Sequence, residues 1–222
     1  RNLIQARALP PTEEARDLET CPGPIEIYTF GRLSILRGDD PLTFEGRAQV
    51  RPLGLLAALI AQGGRGVAVD ALAELLWPEA DGDAAQRAFD TTLHRLRKLL
   101  GHERAVLLSE GRLSLNPAVC WVDAWSLERL IGRLDGLLRQ PGSASGDQAA
   151  TTRTATRLLG LYRGPFLGHD QTQSWASTAR ERLHARLLCA LSSLGRYCEQ
   201  QQDWRRAADT YERAVDVNEL AE

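Results

Sequence analysis

Residues 84–101, AAQRAFDTTLHRLRKLLG, restrict the fold more than any other stretch of this chain. Phe89, Leu93, Leu96 and Leu100 recur at spacings of four, three and four. That spacing stacks them on one face of a helix. At about 100° per residue the opposite face carries Arg87, Thr91, His94, Arg95 and Lys98. No acid falls on that outer strip, and Asp90 lies on its flank near Arg97. A solvated helix usually mixes both signs, so a one-signed strip points to a polyanion.

Composition limits how that strip can be used. The chain has 222 residues, 43% hydrophobic and 25% charged, enough for one or two domains with real cores. Its formal net charge is −2, so any nucleic-acid site must be local. Between residues 84 and 104 the bases Arg87, Arg95, Arg97, Lys98 and Arg104 face only Asp90 and Glu103. Cys21, Cys120, Cys189 and Cys198 are far apart, with no CxxC pair. They read as free thiols of a cytoplasmic protein, not as metal ligands. No apolar run of membrane-spanning length and no signal peptide is visible, and an absent N-terminus could hide one. With an arginine first and no methionine, the chain reads as a fragment lacking its natural start.

Enzyme signals are missing. The chain has no GxxxxGK[ST], GxGxxG, GxSxG or HExxH, and its four histidines are scattered. No catalytic residue, cofactor or metal is expected. The acids Glu79, Asp81 and Asp83 before the cationic helix read as solvated and helix-capping groups rather than a metal site. Trp77, Trp121, Trp125, Trp175 and Trp204 read as packing residues.

The order of elements follows from periodicity and turn signals. Residues 1–24 read as a linker, with a possible helix end, Pro10-Pro11, an acidic run and Cys21-Pro22-Gly23-Pro24. IEIYTF and LSILR alternate, and LTFEG gives a third short strand, making a small antiparallel sheet. Three helices follow. Residues 52–62 are stopped by Gly63-Gly64, ALAELLW is capped by Asp70, and the cationic helix is capped by Asp83. Residues 105–110 and 112–116 then form a hairpin with Glu110-Gly111 at its tip. From Val122 onward the pattern is helical, with breaks at residues 141–146 and 164–168. The last helix is capped by Asp203, and the last two helices read as a helical-repeat hairpin.

Sheet, three helices and hairpin in that order make a winged helix. Its third helix enters the major groove and its hairpin reaches the flanking backbone. RPLGLLAALIAQGG, LAELLWPE, AFDTTLHRLRKLLG and LLSEGRLSLN resemble the OmpR/PhoB-type winged helix. Val122-Asp123-Ala124, Leu127-Glu128-Arg129-Leu130, the run Leu161 to Leu167 (LYRGPFL), Trp175 and Arg180-Glu181-Arg182-Leu183 resemble the bacterial transcriptional activator domain that follows it in SARP-type regulators.

The expected fold is mainly α with small sheets. It would comprise a linker at 1–24, a winged helix at 25–121 and a tetratricopeptide-like helical domain at 122–222. The resemblance implies a DNA-binding transcription activator that engages promoter DNA through residues 84–100 and the wing. Arg87, Thr91, His94 and Arg95 would read bases. Lys98 would meet phosphate. Arg97 would either meet phosphate or pair with Asp90 or Glu103. Arg112 on the wing would touch DNA or serve as a plain surface charge. Further implied partners are RNA polymerase, through the turn before the cationic helix, and a second copy on repeated sites; no membrane partner is implied. The alternative is an interaction module with weak or no DNA binding, suggested by the near-neutral charge.

Overall fold

The alternation of IEIY becomes β1 (Ile25–Tyr28), which buries Ile25 and Ile27 and leaves Glu26 and Tyr28 half-buried. The computed structural model describes residues 24–38, 40–44, 49–139, 145–168 and 174–219. By its contacts the chain divides into two units. One holds residues 1–28 and 34–122; the other holds Thr29–Leu33 with residues 123–222. The expected linker, apart from Pro24, and the break at 141–144 lie outside the described residues.

In the first unit β1 pairs antiparallel with β2 (Ser34–Arg37), which pairs with β3 (Asp40–Pro41). Of the third strand expected at residues 42–46, the described residues 42–44 form no strand and the two-residue β3 lies just before them; residues 45 and 46 lie outside the described residues. On its other side β1 pairs parallel with a strand from far along the chain (Cys120–Val122), in the register Ile25 to Cys120.

The helices of this unit are α1 (Val50–Ala61), α2 (Val69–Leu76) and α3 (Gly82–Leu100). α1 is buried nearly all round, through Pro52 and the run from Leu55 to Ile60. It ends where Gly63 and Gly64 take positive φ values of 97° and 73°. α3 buries Phe89, Leu93, Leu96 and Leu100, the stripe read from spacing, and adds Ala85 and Thr92. Gly101, left-handed at φ 67°, closes α3, and its N–H donates to the carbonyls of Arg97 and Lys98.

Two expected caps shift. α3 starts at Gly82 with Asp81 in the cap position, which puts Asp83 in the first turn. α2 starts at Val69, which puts Asp70 in its first turn. Both acids still favour the positive end of the helix dipole.

A second sheet is built from β4 (Val67–Ala68), β5 (Val106–Ser109) and β6 (Arg112–Leu115), in the spatial order β4-β6-β5. β5 and β6 are the expected hairpin, and Glu110 and Gly111 form its tip with φ values of 50° and 68°. β7 is the Cys120–Val122 strand of the first sheet.

The second unit contains α4 (Asp123–Leu138), α5 (Ser145–Leu161), α6 (Ser174–Gln200) and α7 (Trp204–Glu219). α6 and α7 form the helical hairpin. Asp203 caps α7 as expected, its Oδ1 accepting from the Arg206 N–H at 3.2 Å. Trp204 departs from expectation: it opens α7 with its side chain 65% exposed, while the other four tryptophans are half-buried.

Within this unit Thr29–Leu33 runs beside the turn after α5. Gly31 N–H donates to Pro165 O at 2.9 Å, and Leu167 N–H to Thr29 O at 2.8 Å. Asp123 is buried and collects four hydrogen bonds. They come from Thr29 N–H (2.7 Å), Thr29 Oγ1 (2.6 Å), Phe30 N–H (3.1 Å) and Ala124 N–H (2.7 Å). Burial pushes its carboxyl above the usual range, against the pull of those donors. No helix among the described residues is long and apolar enough to cross a membrane.

Candidate nucleic-acid interface

Burying one stripe of α3 forces the opposite face outward. Arg87, Thr91, His94, Arg95 and Lys98 are all exposed there. Arg87, His94, Arg95 and Lys98 form no side-chain hydrogen bond or ion pair with any described residue. The charges of Arg87, Arg95 and Lys98 are therefore not spent on described residues of the fold. Because α3 begins at Gly82, Asp83 also lies on this face, one turn before Arg87.

Thr91 has a fixed rotamer. Its Oγ1 donates to the Arg87 carbonyl at 2.9 Å, which leaves the methyl and the hydroxyl lone pairs to face outward. A base can offer it a methyl or an amino group, but the hydroxyl hydrogen is committed.

Arg97 and Arg112 behave differently from their neighbours. Arg97 is half-buried, and its Nε and Nη2 both donate to the Val106 carbonyl, at 3.2 and 3.0 Å. It pairs with neither Asp90 nor Glu103, the structural partners expected for it. Arg112 is exposed and donates from Nη1 to the Gly66 carbonyl at 2.8 Å. Both arginines brace the wing sheet, one from α3 and one from β6.

Between the end of α3 and β5 runs an open groove of about 740 Å³. His94, Lys98 and Arg104 line it together with Leu107 and Leu108. The two leucines are 44% and 42% exposed. β5 is the edge strand of its sheet, and of its four residues only Val106 is buried. Alternation alone would have buried one of the two. The site thus combines cations, a hydroxyl-bearing side chain and apolar rim residues along one helix and one strand.

The turn leading into α3 is also organised. The Arg51 guanidinium lies 6.0 Å from the centre of the Trp77 ring and donates to the Leu76 carbonyl at 2.9 Å. Glu79, Asp81 and Asp83 beyond it are exposed.

Three helices framed by two small sheets, with an outward cationic third helix and a hairpin beside it, define a winged helix, here joined to an all-helical unit. Residues 122–222 match the family described as the bacterial transcriptional activator domain. In the sequence this matched stretch follows directly on the winged helix. Its fold is similar to that of Mycobacterium tuberculosis EmbR, solved in complex with a low-affinity phosphopeptide, with a TM-score of 0.56 at 18% identity. That match covers 86% of this chain and 58% of the EmbR chain. At such identity the likeness is one of fold. No curated protein matches the sequence.

Proposed function

We propose that this chain binds double-stranded promoter DNA in a sequence-specific manner and activates transcription. α3 lies in the major groove, and the hairpin lies along the flanking backbone. The observation that carries this reading is the outer face of α3, where Arg87, His94, Arg95 and Lys98 stand exposed with no side-chain partner among the described residues. Arg87 and Arg95 suit guanine O6 and N7, and Thr91 suits a thymine methyl. Lys98 and Arg104 suit phosphate. The acidic turn at Glu79 and Asp81 offers RNA polymerase a surface next to the DNA-facing helix, and neighbouring copies occupy repeated sites.

Fluorescence anisotropy against a random duplex at low salt tests the reading. Binding should weaken steeply with salt, by roughly 0.9 powers of concentration per neutralised phosphate. Absence of binding at micromolar protein overturns it and leaves the chain as a protein-docking module.

A further inference from the structure

Asp90 is the one acid of α3 beside the cationic strip and beyond its first turn, and it is exposed. Its side chain has one hydrogen-bond partner among the described residues, Gln86 Nε2 at 3.2 Å. Arg97, seven residues on and on the same flank, gives its guanidinium to the Val106 carbonyl instead. The carboxylate is therefore oriented by an amide and has no ion-pair partner among the described residues.

Such a group beside the DNA face has a definite physical consequence. A bare carboxylate is repelled by phosphates, so it weakens binding to every sequence alike. It gains that energy back only where a base edge offers it a hydrogen. In the major groove the amino hydrogens belong to cytosine N4 and adenine N6. A carboxylate has no donor for the adjacent adenine N7, which leaves cytosine as its match. Wrong bases leave the carboxylate desolvated and unpaired, which makes it a device of discrimination rather than affinity. Thr91, next in sequence, points the same way, because its committed hydroxyl hydrogen leaves only acceptors and a methyl outward.

We propose that Asp90 is a specificity-determining residue that accepts a hydrogen bond from cytosine N4 in the major groove, with Gln86 holding its carboxylate. The assignment rests on the DNA-binding reading above.

Selection of bound duplexes from a random pool, run on the whole chain and on Asp90→Ala and Asp90→Asn, tests it. Anisotropy on a random duplex is measured alongside, and circular dichroism confirms folding. The unsubstituted chain should select cytosine at one position. Asp90→Ala should lose that preference, by roughly ten-fold, while binding the random duplex more tightly. Asp90→Asn should move the same position toward adenine, whose N6 and N7 an amide can span. If all three select the same motif, Asp90 has no such role although the DNA reading stands. Weaker random-duplex binding by Asp90→Ala also overturns the assignment. If the unsubstituted chain binds no duplex, the DNA reading falls and takes this assignment with it.

Discussion

Arg97 holds the carbonyl of Val106 with two donors of one guanidinium, Nε at 3.2 Å and Nη2 at 3.0 Å. The last turn of α3 is thereby tied to the first residue of β5. A lysine has no such fork and could not reproduce the pair of bonds. Two neighbouring cations on one helix thus have different work: Lys98 faces outward, and Arg97 sets the position of the wing.

Replacing Arg97 should therefore cost stability before it costs recognition. Arg97→Ala removes two charge-assisted hydrogen bonds from a half-buried site, a loss of about 1–2 kcal/mol after allowance for solvent. Thermal melting should show it, and Arg97→Lys should recover little. The motif selected from a random duplex pool should stay the same. A changed motif would mean that Arg97 reads bases.

Lys98→Ala and Arg95→Ala should separate phosphate contact from base reading. Removing Lys98 should weaken binding evenly across sequences and lower the salt slope by roughly 0.9. Removing Arg95 should relax base preference at one position, at a cost of about 1–3 kcal/mol. Salt titrations and duplex selection on the two variants distinguish these outcomes. If the effects are exchanged, so are the roles.

Much of the first unit was legible because its signals are periodic. The stripe at Phe89, Leu93, Leu96 and Leu100 repeats with the helix, and Glu110-Gly111 marks a tight turn whatever surrounds it. What escaped notice depends on contacts between distant residues. β4 has two residues and β7 three, too few for any pattern, and β7 exists because β1 lies beside it. Arg97 was an open choice among phosphate, Asp90 and Glu103. Its real partner is a backbone carbonyl, which no side-chain pattern reveals. Asp123 lies in a run that carries a resemblance, but its partners Thr29 and Phe30 lie more than ninety residues away.

Asp123→Ala should sharply destabilise the helical unit. Thr29 is 0% and Asp123 1% exposed, so water cannot take over the lost bonds. The Thr29 and Phe30 N–H groups and the Thr29 hydroxyl would lose their acceptor. At about 1–3 kcal/mol for a buried unsatisfied group, the total is about 3 kcal/mol or more. Asp123→Asn turns an amide N–H₂ toward those donors and should recover only part. Urea unfolding followed by far-ultraviolet circular dichroism measures both. A cost below about 1 kcal/mol would show that the bonds are dispensable.

Cys120 predicts an alkaline limit to stability. Burial pushes its thiol up to about 12, and Sγ donates to the Ala105 carbonyl. In the unfolded chain the thiol ionises at an ordinary value near 9. Above that pH the unfolded state has lost a proton that the native state keeps, so stability falls as pH rises from about 9 toward 12. The slope from this group approaches about 1.4 kcal/mol per pH unit. Cys120→Ala should flatten the alkaline limb in pH-dependent melts. Below pH 8, a thiol reagent should modify exposed Cys189 before buried Cys120 or Cys198.

Gly195 lets α6 and α7 approach each other more closely than any side chain would permit. A Cβ there would stand 2.5 Å from Cε1 and Cζ of the Tyr211 ring. Gly195→Ala sets two effects against each other. Alanine in mid-helix is worth about 1 kcal/mol over glycine. Overpacking a tight contact costs about 1–3 kcal/mol. The Tyr211 ring would have to swing away from α6 and give up its packing there, so the clash should win and leave a net loss of up to about 2 kcal/mol. Chemical denaturation should show this loss. In a Tyr211→Ala background the obstacle is gone and only the helix propensity remains, so the same Gly195→Ala change should become stabilising. That reversal of sign separates a steric role from a flexible one. If Gly195→Ala is destabilising in both backgrounds, the glycine serves something other than the approach of Tyr211.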